Sequence, residues 1–386
     1  GTAASVMLTL KRKHHLGAST MAPSSVRIGV IGVGFGATVH IPAFQSEGLD
    51  VVAVCARREE RATEAAQRFG ISKTFTDYRK MLQMDGLDAV SIVSPVANHY
   101  QMTMEALDAG KHIICEKPFT LNQSEAREAW QKAEDAGLTG MIAHEFRFAL
   151  GRMRVKELID EGYIGQLHMA LLKLVIGPRG GFHARPLSGG DDASSGGGFL
   201  GGLGSHYIDC LRHWFGEVES VSGQLDTHFG DRIHPNSGET VQATSDDTFH
   251  IALRFVNGGR AMMTGTSAAP FGPGGGIEIF GRDGTLVTPH AGLGFNPPPL
   301  GKILGAKPGD DALSELPIPD RLRPFSDDRD DRMMPFRLLT REFVRGIEEG
   351  ISPAPSFEDG YRCQQILDAV HESSESGRVV RIQDVE

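Results

Sequence analysis

The fold is decided by the stretch Gly29-Val30-Ile31-Gly32-Val33-Gly34-Phe35-Gly36-Ala37, in which closely spaced glycines follow a short apolar run and precede a helix-like segment. Residues 26–31 are predicted to form a buried strand and residues 38–46 a helix. In such a turn the first glycine permits the tight bend, the second lets the backbone approach a pyrophosphate, and a small residue such as Ala37 lets the helix pack close to the strand. The turn therefore predicts a dinucleotide site, whose lining residues are Gly32, Gly34, Phe35, Gly36 and Ala37.

The segment after this turn repeats the alternation of strand and helix. Further short apolar runs predict strands at residues 51–56, 89–94 and 112–115, and helical spacing of apolar residues predicts helices at 59–69 and 100–109. Strands that alternate with helices are typical of βαβ units, which build a doubly wound parallel sheet. The first third of the chain is therefore predicted to be an α/β Rossmann domain.

The second half of the chain has a different pattern, with longer strand candidates separated by turn residues. These candidates are residues 166–175, 218–225, 248–255, 260–267 and 276–280. A run of strands with hairpin turns predicts a large, mostly antiparallel sheet with one open face. Two late helices, at residues 335–348 and 358–373, are expected to pack back across the structure. Residues 290–330, rich in Pro, Gly and Asp, are expected to form an excursion or flexible arm.

We expect an α/β protein of two domains, since 386 residues exceed what one hydrophobic core usually serves. Residues 26–146 form the predicted Rossmann dinucleotide-binding domain. Residues 147–386 form a predicted α+β domain for substrate binding and oligomerisation, whose late helices pack back on the first domain. Residues 1–25 are polar, carry a basic cluster at residues 11–15, and are expected to be a disordered leader or residues added for expression.

Charge and composition restrict the class of partner. The formal net charge of −10 argues against nucleic acid and anionic membranes, which need a basic surface, and no apolar run approaches the roughly 20 residues of a membrane-spanning helix. The four cysteines are widely spaced without a CxxC pair, which indicates reduced core thiols and a cytoplasmic protein. No His/Cys/Asp cluster has metal-ligand spacing, so a small-molecule substrate and no metal are expected.

The end of the second predicted strand indicates the type of dinucleotide. NAD sites usually carry an acidic residue there, about 20 residues after the glycine turn, for the ribose 2′-hydroxyl. This chain has Ala56, followed by Arg57 and Arg58, which places positive charge where a carboxylate would repel a 2′-phosphate. NADP is therefore favoured over NAD. The alternative is that both arginines only form the solvated start of a helix.

Several short segments, taken in this order, are more specific than any one alone. They are residues 29–40 with Pro42, Ser91-Ile92-Val93-Ser94-Pro95 with His99, Ala109-Gly110-Lys111-His112, Glu116-Lys117-Pro118, Glu145-Phe146-Arg147-Phe148, Gly196-Gly197-Gly198 and His206-Tyr207-Ile208-Asp209. Through nearly the whole folded chain, this series resembles the Gfo/Idh/MocA family of nicotinamide-dependent sugar and polyol oxidoreductases. The resemblance implies a homodimer or homotetramer, paired through the open sheet of the second domain.

The resemblance also implies that Lys117 lies beside the nicotinamide and the reacting hydroxyl as the principal acid/base residue. A lysine at the end of a buried strand can donate a hydrogen bond to an alkoxide or carbonyl oxygen as hydride moves. Without the resemblance, Lys117 is more simply a surface lysine before a proline. The cofactor contacts expected besides the glycine turn are Ala56, Arg57, Arg58, Ser94, Pro95, His99, Glu116, Lys117, Pro118 and Arg147.

The second implied element is an aspartate followed four residues later by a histidine, so that both side chains face the substrate. The histidine is His206, but Gly202 takes the aspartate's place. The family's acid/base arrangement therefore cannot be carried over intact. His206 can still act as an acid/base group or bind a substrate hydroxyl, and Asp209 is either its partner or a structural helix residue.

Further candidates for the substrate site have less support in the sequence. Tyr207 and Lys173 are expected to contact substrate, although Lys173 can equally lie on the solvated face of its strand. Arg179, His183 and Arg185 occupy a Gly/Pro-rich loop that either closes over the substrate or is only a flexible surface loop.

The expected function is hydride transfer between NADP(H) and a secondary hydroxyl or carbonyl of a sugar, polyol or related small molecule, with Lys117 as acid/base residue and His206 assisting. Two alternatives remain. One is a dinucleotide-binding sensor that kept the fold and lost the chemistry, for which Gly202 is the motivating feature. The other is a redox-assisted lyase or glycosidase that retains its cofactor and shows no net redox change.

Overall fold

The protein is described by a computed structural model that covers residues 26–177, 185–290 and 302–383. Within these ranges the chain forms three β-sheets and nine α-helices. The predicted leader at residues 1–25 lies outside the described residues.

The first sheet contains six parallel strands. They are β1 (Arg27–Ile31), β2 (Asp50–Cys55), β3 (Lys73–Phe75), β4 (Ala89–Ile92), β5 (His112–Cys115) and β6 (Gly140–Ile142). Their order across the sheet is β3-β2-β1-β4-β5-β6, so the direction of winding reverses between β1 and β4. Ligands of doubly wound sheets bind at this reversal, outside the carboxyl ends of the strands. The predicted Rossmann-type sheet is confirmed.

Five helices accompany this sheet: α1 (Ile41–Ser46), α2 (Glu59–Phe69), α3 (Tyr78–Leu82), α4 (His99–Asp108) and α5 (Gln123–Asp135). In α2 the small residues Ala62, Ala65 and Ala66 recur at helical spacing and are buried. Gly70 then ends the helix in the left-handed conformation, with φ of 69°. A wide π-helical turn at Gly36–His40 runs directly into α1, so the predicted first helix is confirmed and begins beside the glycine turn.

The largest sheet has nine strands in the order β17-β16-β15-β14-β7-β13-β12-β9-β18. Their bounds are β7 (Leu167–Val175), β9 (Val218–Asp226), β12 (Thr248–Phe255), β13 (Arg260–Thr266), β14 (Gly274–Gly281), β15 (Thr285–His290), β16 (Ile303–Ala306), β17 (Ser314–Leu316) and β18 (Val380–Arg381). A third, small sheet holds β8 (Arg185–Pro186), β10 (Asp231–Ile233) and β11 (Thr240–Gln242). In the large sheet, β7 and β13 run parallel and the other neighbouring strands antiparallel, as predicted.

The two faces of this large sheet differ, and β7 shows how. Ala170, Leu172 and Leu174 are buried in the core of the second half of the chain, whereas Lys173 is exposed. This period of two places alternate residues on opposite faces of a strand. One face therefore packs on helices, and the other is the open face expected from the sequence.

Four more helices complete the fold: α6 (Leu150–Asp160), α7 (Ser205–Phe215), α8 (Met333–Glu349) and α9 (Phe357–Ser376). Phe336 and Phe343 of α8 belong to the same core as Phe44 of α1, while α9 contacts both α5 and β9. The late helices thus pack against elements of the first sheet.

The prediction for residues 290–330 was wrong where the structure describes them. Strand β16 pairs with β15, and β17 pairs with β16, so residues 303–316 extend the edge of the large sheet. Strands of three and four residues among Pro, Gly and Asp have no clear sequence pattern, because backbone pairing with β15 selects them. Residues 291–301 lie outside the described residues.

Candidate active site

The glycine turn after β1 forms an open cradle at the carboxyl edge of the parallel sheet. Gly32 has φ of 104°, and a Cβ at this position would lie 2.1 Å from the carbonyl oxygen of Val93, so no side chain fits. Gly34 is exposed, and a Cβ there would meet nothing within 4 Å. The turn therefore leaves bare backbone facing free space where a pyrophosphate could approach, and these residues fit a dinucleotide.

The start of the first helix is packed tightly below this cradle. Gly36 and Ala37 are buried, and a Cβ on Gly36 would lie 3.1 Å from Val30. The ring of Phe35 packs edge-on against His40, and the guanidinium of Arg332 lies 4.8 Å from the Phe35 ring centroid. Arg332 precedes α8, so a late segment of the chain reaches the cradle, which no local pattern in the sequence indicated.

At the end of β2, the structure places the predicted residues around the rim of the same edge. Ala56 is half-buried, and Arg57 and Arg58 are exposed. Neither arginine side chain forms a hydrogen bond or ion pair with another described residue. Two cationic side chains are thus available to a ligand at this rim.

His99 connects the loops that follow β4 and β5. Its Nδ1 lies 2.9 Å from the carbonyl oxygen of Pro118, and its Nε2 lies 2.8 Å from the carbonyl oxygen of Ser94. The ring is buried, and both nitrogens are occupied by backbone oxygens. His99 was expected to contact the cofactor, but this placement makes it a brace for the Ser94-Pro95 and Lys117-Pro118 segments, which themselves line the edge.

Glu116 is anchored by two hydrogen bonds at the end of β5. Nε2 of His40 lies 2.9 Å from Oε1, and the backbone N–H of Lys117 donates to Oε2 at 3.2 Å. The other ring nitrogen of His40 pairs with the hydroxyl of Ser91 at 2.8 Å. Burial raises the pKa of Glu116, but the hydrogen bond and charge of His40 outweigh burial and hold this pKa below its ordinary value. Glu116 therefore fixes the backbone of Lys117.

Lys117 joins the parallel sheet to the second half of the chain. Its Nζ donates a 2.8 Å hydrogen bond to the carbonyl oxygen of Gly202. Gly202 lies in a π-helical turn at Leu200–Gly204 that leads into α7, and a Cβ at this position would meet nothing within 4 Å. The fold therefore leaves space for a side chain at position 202, and the carboxylate is absent only because the residue is glycine.

His206 lies one helical turn after Gly202 and is buried. Its ring stacks on Phe146, with centroids 3.8 Å apart and planes at 8°, and lies 5.6 Å from His144. Burial, with the nearby positive charge of Lys117, lowers the pKa of His206 well below its ordinary value. The structure thus brings together Lys117 and His206, as the resemblance implied.

Glu145 completes this cluster, although it was not singled out as a functional residue. It follows β6, is buried, and places Oε2 3.9 Å from Nδ1 of His206. Burial, and then the negative charge of Glu116, raise the pKa of Glu145 to about 8. A signal existed in the sequence: Glu145 begins the Glu145-Phe146-Arg147-Phe148 segment, which is part of the series that carries the family resemblance.

Asp209 and Arg147 form a buried ion pair, which favours the structural alternative for Asp209. The guanidinium of Arg147 donates to both carboxylate oxygens of Asp209, at 2.7 and 2.6 Å, and to Asp359 at 2.8 Å. Both Arg147 and Asp209 are buried. Because each satisfies the other, the structure argues against Asp209 as the partner of His206 and against Arg147 as a cofactor contact; they tie α7 and α9 to the end of β6.

The two predicted substrate contacts differ in position, since the ring of Tyr207 packs edge-on against Phe146 of the cluster, at 5.6 Å, and Lys173 does not. Tyr207 is fully buried in the core of the second half, which closes it off from a substrate. Lys173 lies on the open face of the large sheet, opposite the face that packs on α7. Arg185 is exposed and paired with Asp191, while Arg179 and His183 lie outside the described residues.

In residues 26–177, 185–290 and 302–383, no group of three or more His, Cys, Asp or Glu side chains is arranged to hold a metal ion. None of the helices in the same ranges is long and apolar enough to cross a membrane. The four cysteines are free and buried, as predicted.

Two family models match the chain. One, described as the oxidoreductase family, NAD-binding Rossmann fold, matches residues 26–144. The other, described as the oxidoreductase family, C-terminal alpha/beta domain, matches residues 156–382. The two models therefore cover most of the described chain.

Individual relatives agree with these models. An uncharacterized oxidoreductase of Synechocystis sp. is 30% identical over 374 residues, which cover 95% of this chain and 98% of that protein. A D-xylose 1-dehydrogenase (NADP(+)) of Haloferax volcanii is 26% identical, covering 92% of this chain and 99% of its own. Among solved structures, levoglucosan dehydrogenase in complex with NADH and L-sorbose has a TM-score of 0.82 and 26% identity, over 93% of this chain and 99% of that one.

Proposed function

Because the chain belongs to the Gfo/Idh/MocA oxidoreductase family, we propose that it transfers hydride between NADP(H) and a secondary hydroxyl or carbonyl of a sugar, polyol or related small molecule. The observation that carries this proposal is the contact of Lys117 with Gly202. It puts an amine at the carboxyl edge of the parallel sheet, where the glycine cradle lies and where the second half of the chain meets the first. Two relatives named as sugar dehydrogenases support the substrate class.

The proposed reaction needs a proton transfer together with the hydride transfer. When bound, the nicotinamide supplies the hydride acceptor or donor. In the oxidative direction, the C–H bond of the substrate is broken as hydride leaves, and the hydroxyl proton passes to Nζ of Lys117 as the carbonyl forms. In the reductive direction, the hydride and the proton return to the substrate. Glu116 holds the backbone of Lys117 through its hydrogen bond with the lysine N–H, and His206 assists at the same cluster.

The preference for NADP rests on Arg57 and Arg58. Both are exposed and unpaired among the described residues, and Ala56 offers no carboxylate for a ribose 2′-hydroxyl. Guanidinium groups form strong, charge-assisted hydrogen bonds with phosphate oxygens. The named relatives include an NADP(+) enzyme and a protein bound to NADH. They therefore favour neither cofactor, and the preference for NADP is based on the two arginines.

The test is a spectroscopic assay of the purified protein with NADP+ and NAD+, across sugars, inositols and their keto forms. We expect turnover with at least one such substrate and a kcat/KM at least about tenfold higher with NADP. Arg57→Ala with Arg58→Ala removes most of that preference, whereas the matched control Arg61→Ala, which breaks only an exposed pair with Glu64, keeps it. No turnover with either cofactor would count against the proposal.

Gly202 favours a second candidate, a dinucleotide-binding sensor without catalysis. Space for a carboxylate is present beside Lys117, but the side chain is missing. Such a protein binds NADPH in calorimetry and oxidises or reduces no substrate, so binding without turnover across the same panel would support the sensor over the enzyme.

We further propose a homodimer or homotetramer in a reducing, cytoplasmic setting. The open face of the large sheet carries Leu171, Met262 and Ala252 among polar residues and is not covered by described helices. The buried, unbridged cysteines suit a reducing compartment. Sedimentation of wild type and of Met262→Glu tests the assembly, since a charge on this face weakens association through it.

A further inference from the structure

We propose that Glu145 is the positioning residue for His206, and that it supplies from the end of β6 the carboxylate that position 202 lacks. This inference rests on the proposed hydride transfer at Lys117 and names one more residue of that same site. It concerns a carboxylate that follows the last strand of the first sheet and does not belong to α7.

The first observation is an unsatisfied nitrogen. Nδ1 of His206 is buried and has no hydrogen-bond partner among the described residues. Burying a polar atom without a hydrogen-bond partner destabilises the folded protein. Such an atom therefore usually forms a hydrogen bond with a nearby group when the enzyme is active. Oε2 of Glu145 lies 3.9 Å away, and both side chains are 3% exposed.

The second observation is that the ring of His206 is held in one plane. Its stacking on Phe146, at 3.8 Å and 8°, leaves rotation within the plane as the easy motion. Phe146 follows Glu145 in the same short 3₁₀ turn, Glu145–Phe148. The turn therefore sets the plane of the imidazole and the position of its carboxylate partner together, and closing the gap to a hydrogen bond needs a shift of about 1 Å.

The third observation is that the neighbouring carboxylates are already engaged. Asp209 is held by Arg147. Glu116 accepts from His40 and from the N–H of Lys117. Within the described chain, Glu145 is the carboxylate that lies within 4 Å of the His206 ring without a hydrogen bond to another side chain.

The chemical consequence is control of the imidazole tautomer. When the carboxylate of Glu145 accepts from Nδ1–H, Nε2 keeps a lone pair and can accept the proton that Lys117 has taken from the substrate hydroxyl during oxidation. As Nε2 gains that proton, Nδ1–H passes its own to Glu145, so one proton enters the pair and none is lost. In the reverse direction the protonated Glu145 donates to Nδ1, and Nε2–H returns its proton to Lys117, which protonates the substrate carbonyl oxygen.

The charges around Glu145 set the pH at which the two forms exchange. Burial and Glu116 raise the pKa of Glu145 to about 8, while Lys117 and Arg332 oppose them. His206 also faces Lys117, His144 and Arg152, and its pKa lies well below the ordinary value, mainly through burial. The imidazole therefore stays neutral, and the proton of Glu145 is the one that moves near neutral pH.

The experiment compares the wild type with Glu145→Gln, which keeps size and removes the charge. We expect kcat to fall about 100-fold while the KM for NADP and the NADPH affinity stay within about threefold. Adding Gly202→Asp to Glu145→Gln raises kcat at least about tenfold above that of Glu145→Gln alone, because space for this side chain exists. The matched control, Gly202→Asn with Glu145→Gln, gives no such increase. An unchanged kcat in Glu145→Gln, or equal rescue by Asp and Asn, overturns the proposal.

A measurement independent of turnover separates this proposal from the proposed function. In ¹⁵N-histidine-labelled wild type, we expect the His206 nitrogen shifts to exchange between the two neutral tautomers as the pH passes about 8, following Glu145. His206 nitrogens that do not respond in this range overturn the role of Glu145, whether or not the protein folds as Glu145→Gln. A wild type that shows the tautomer change but turns over no substrate contradicts only the hydride-transfer proposal.

Discussion

The side-chain amine of Lys117 donates a 2.8 Å hydrogen bond to the backbone carbonyl oxygen of Gly202. This contact joins the carboxyl end of β5 to the turn that starts α7, and it brings the lysine to His206, one helical turn further on. Because the acceptor is a backbone oxygen, this hydrogen bond needs no particular side chain at position 202. The lysine is thus placed even though the side chain that the family resemblance implied is absent.

Removing the amine of Lys117 is expected to reduce turnover strongly and leave cofactor binding intact. For Lys117→Met we expect kcat/KM to fall by about 10²- to 10⁴-fold, which is the usual contribution of a positioned acid/base group. NADPH affinity, measured by fluorescence, stays within a few-fold. Lys80→Met, at an exposed lysine of α3, is the control and keeps full activity. Activity near the wild-type level in Lys117→Met contradicts the role given to this lysine.

The glycines of the cradle are expected to respond differently to a single methyl group. Gly32→Ala forces φ of 104° on a residue with a Cβ, and that Cβ meets the Val93 carbonyl oxygen at 2.1 Å. We expect it to lose about 3 kcal/mol or more of unfolding free energy. Urea denaturation measures this loss, and a stability equal to the wild type disagrees with the turn geometry.

Gly34→Ala is the matched counterpart, because its Cβ meets nothing within 4 Å. The melting temperature is therefore expected to stay unchanged. The methyl group instead occupies the space into which a pyrophosphate fits, and NADPH affinity falls at least about tenfold. Calorimetric titration checks this, and wild-type affinity in Gly34→Ala would place the cofactor elsewhere.

The buried pair of Arg147 and Asp209 is expected to matter for stability and not for chemistry. Asp209→Asn leaves the guanidinium with Asp359 alone, and breaking one side of a buried ion pair costs about 3–5 kcal/mol. At low temperature, where the variant remains folded, kcat is expected within a few-fold of the wild type. A selective loss of kcat with unchanged stability would instead return Asp209 to the role of partner for His206.

Glu145 is expected to make stability depend on pH. Its folded pKa of about 8 lies above the ordinary value of 4.5, so between these values the folded protein holds a proton that the unfolded chain releases. The contribution is therefore fully present below about pH 4.5 and is lost as pH rises through about 8, by at most about 1.4 kcal/mol per pH unit.

Urea denaturation of wild type and Glu145→Gln between pH 5 and pH 9 measures this contribution. The stability of wild type relative to the variant is expected to fall with rising pH. Glu64→Gln, at an exposed carboxylate, is the control and shows no such trend. Parallel pH profiles for wild type and Glu145→Gln mean that this carboxylate is not perturbed.

The sequence was sufficient where the signal is local. The glycine turn, the alternation of strands and helices, and the amphipathic late helices depend on the neighbours of each residue along the chain, so the parallel sheet, the large antiparallel sheet and the positions of α8 and α9 were predicted. It was insufficient for β16 and β17, because strands of three and four residues are selected by pairing with a distant edge. The same limit applied to Tyr207 and Lys173, whose direction depends on what packs against each face.

The sequence by itself determined that the chain carries a dinucleotide cradle at Gly32 and Gly34, a lysine after the strand at residues 112–115, and a glycine where the family resemblance implied an aspartate. Only the tertiary structure decided which carboxylates are available to His206. Asp209, three residues away in the sequence, is held by Arg147, while Glu145, far along the chain, lies 3.9 Å from the ring. The physical reason is that the charged groups around a buried carboxylate decide whether it is already paired. Those groups come from elements that only folding brings together.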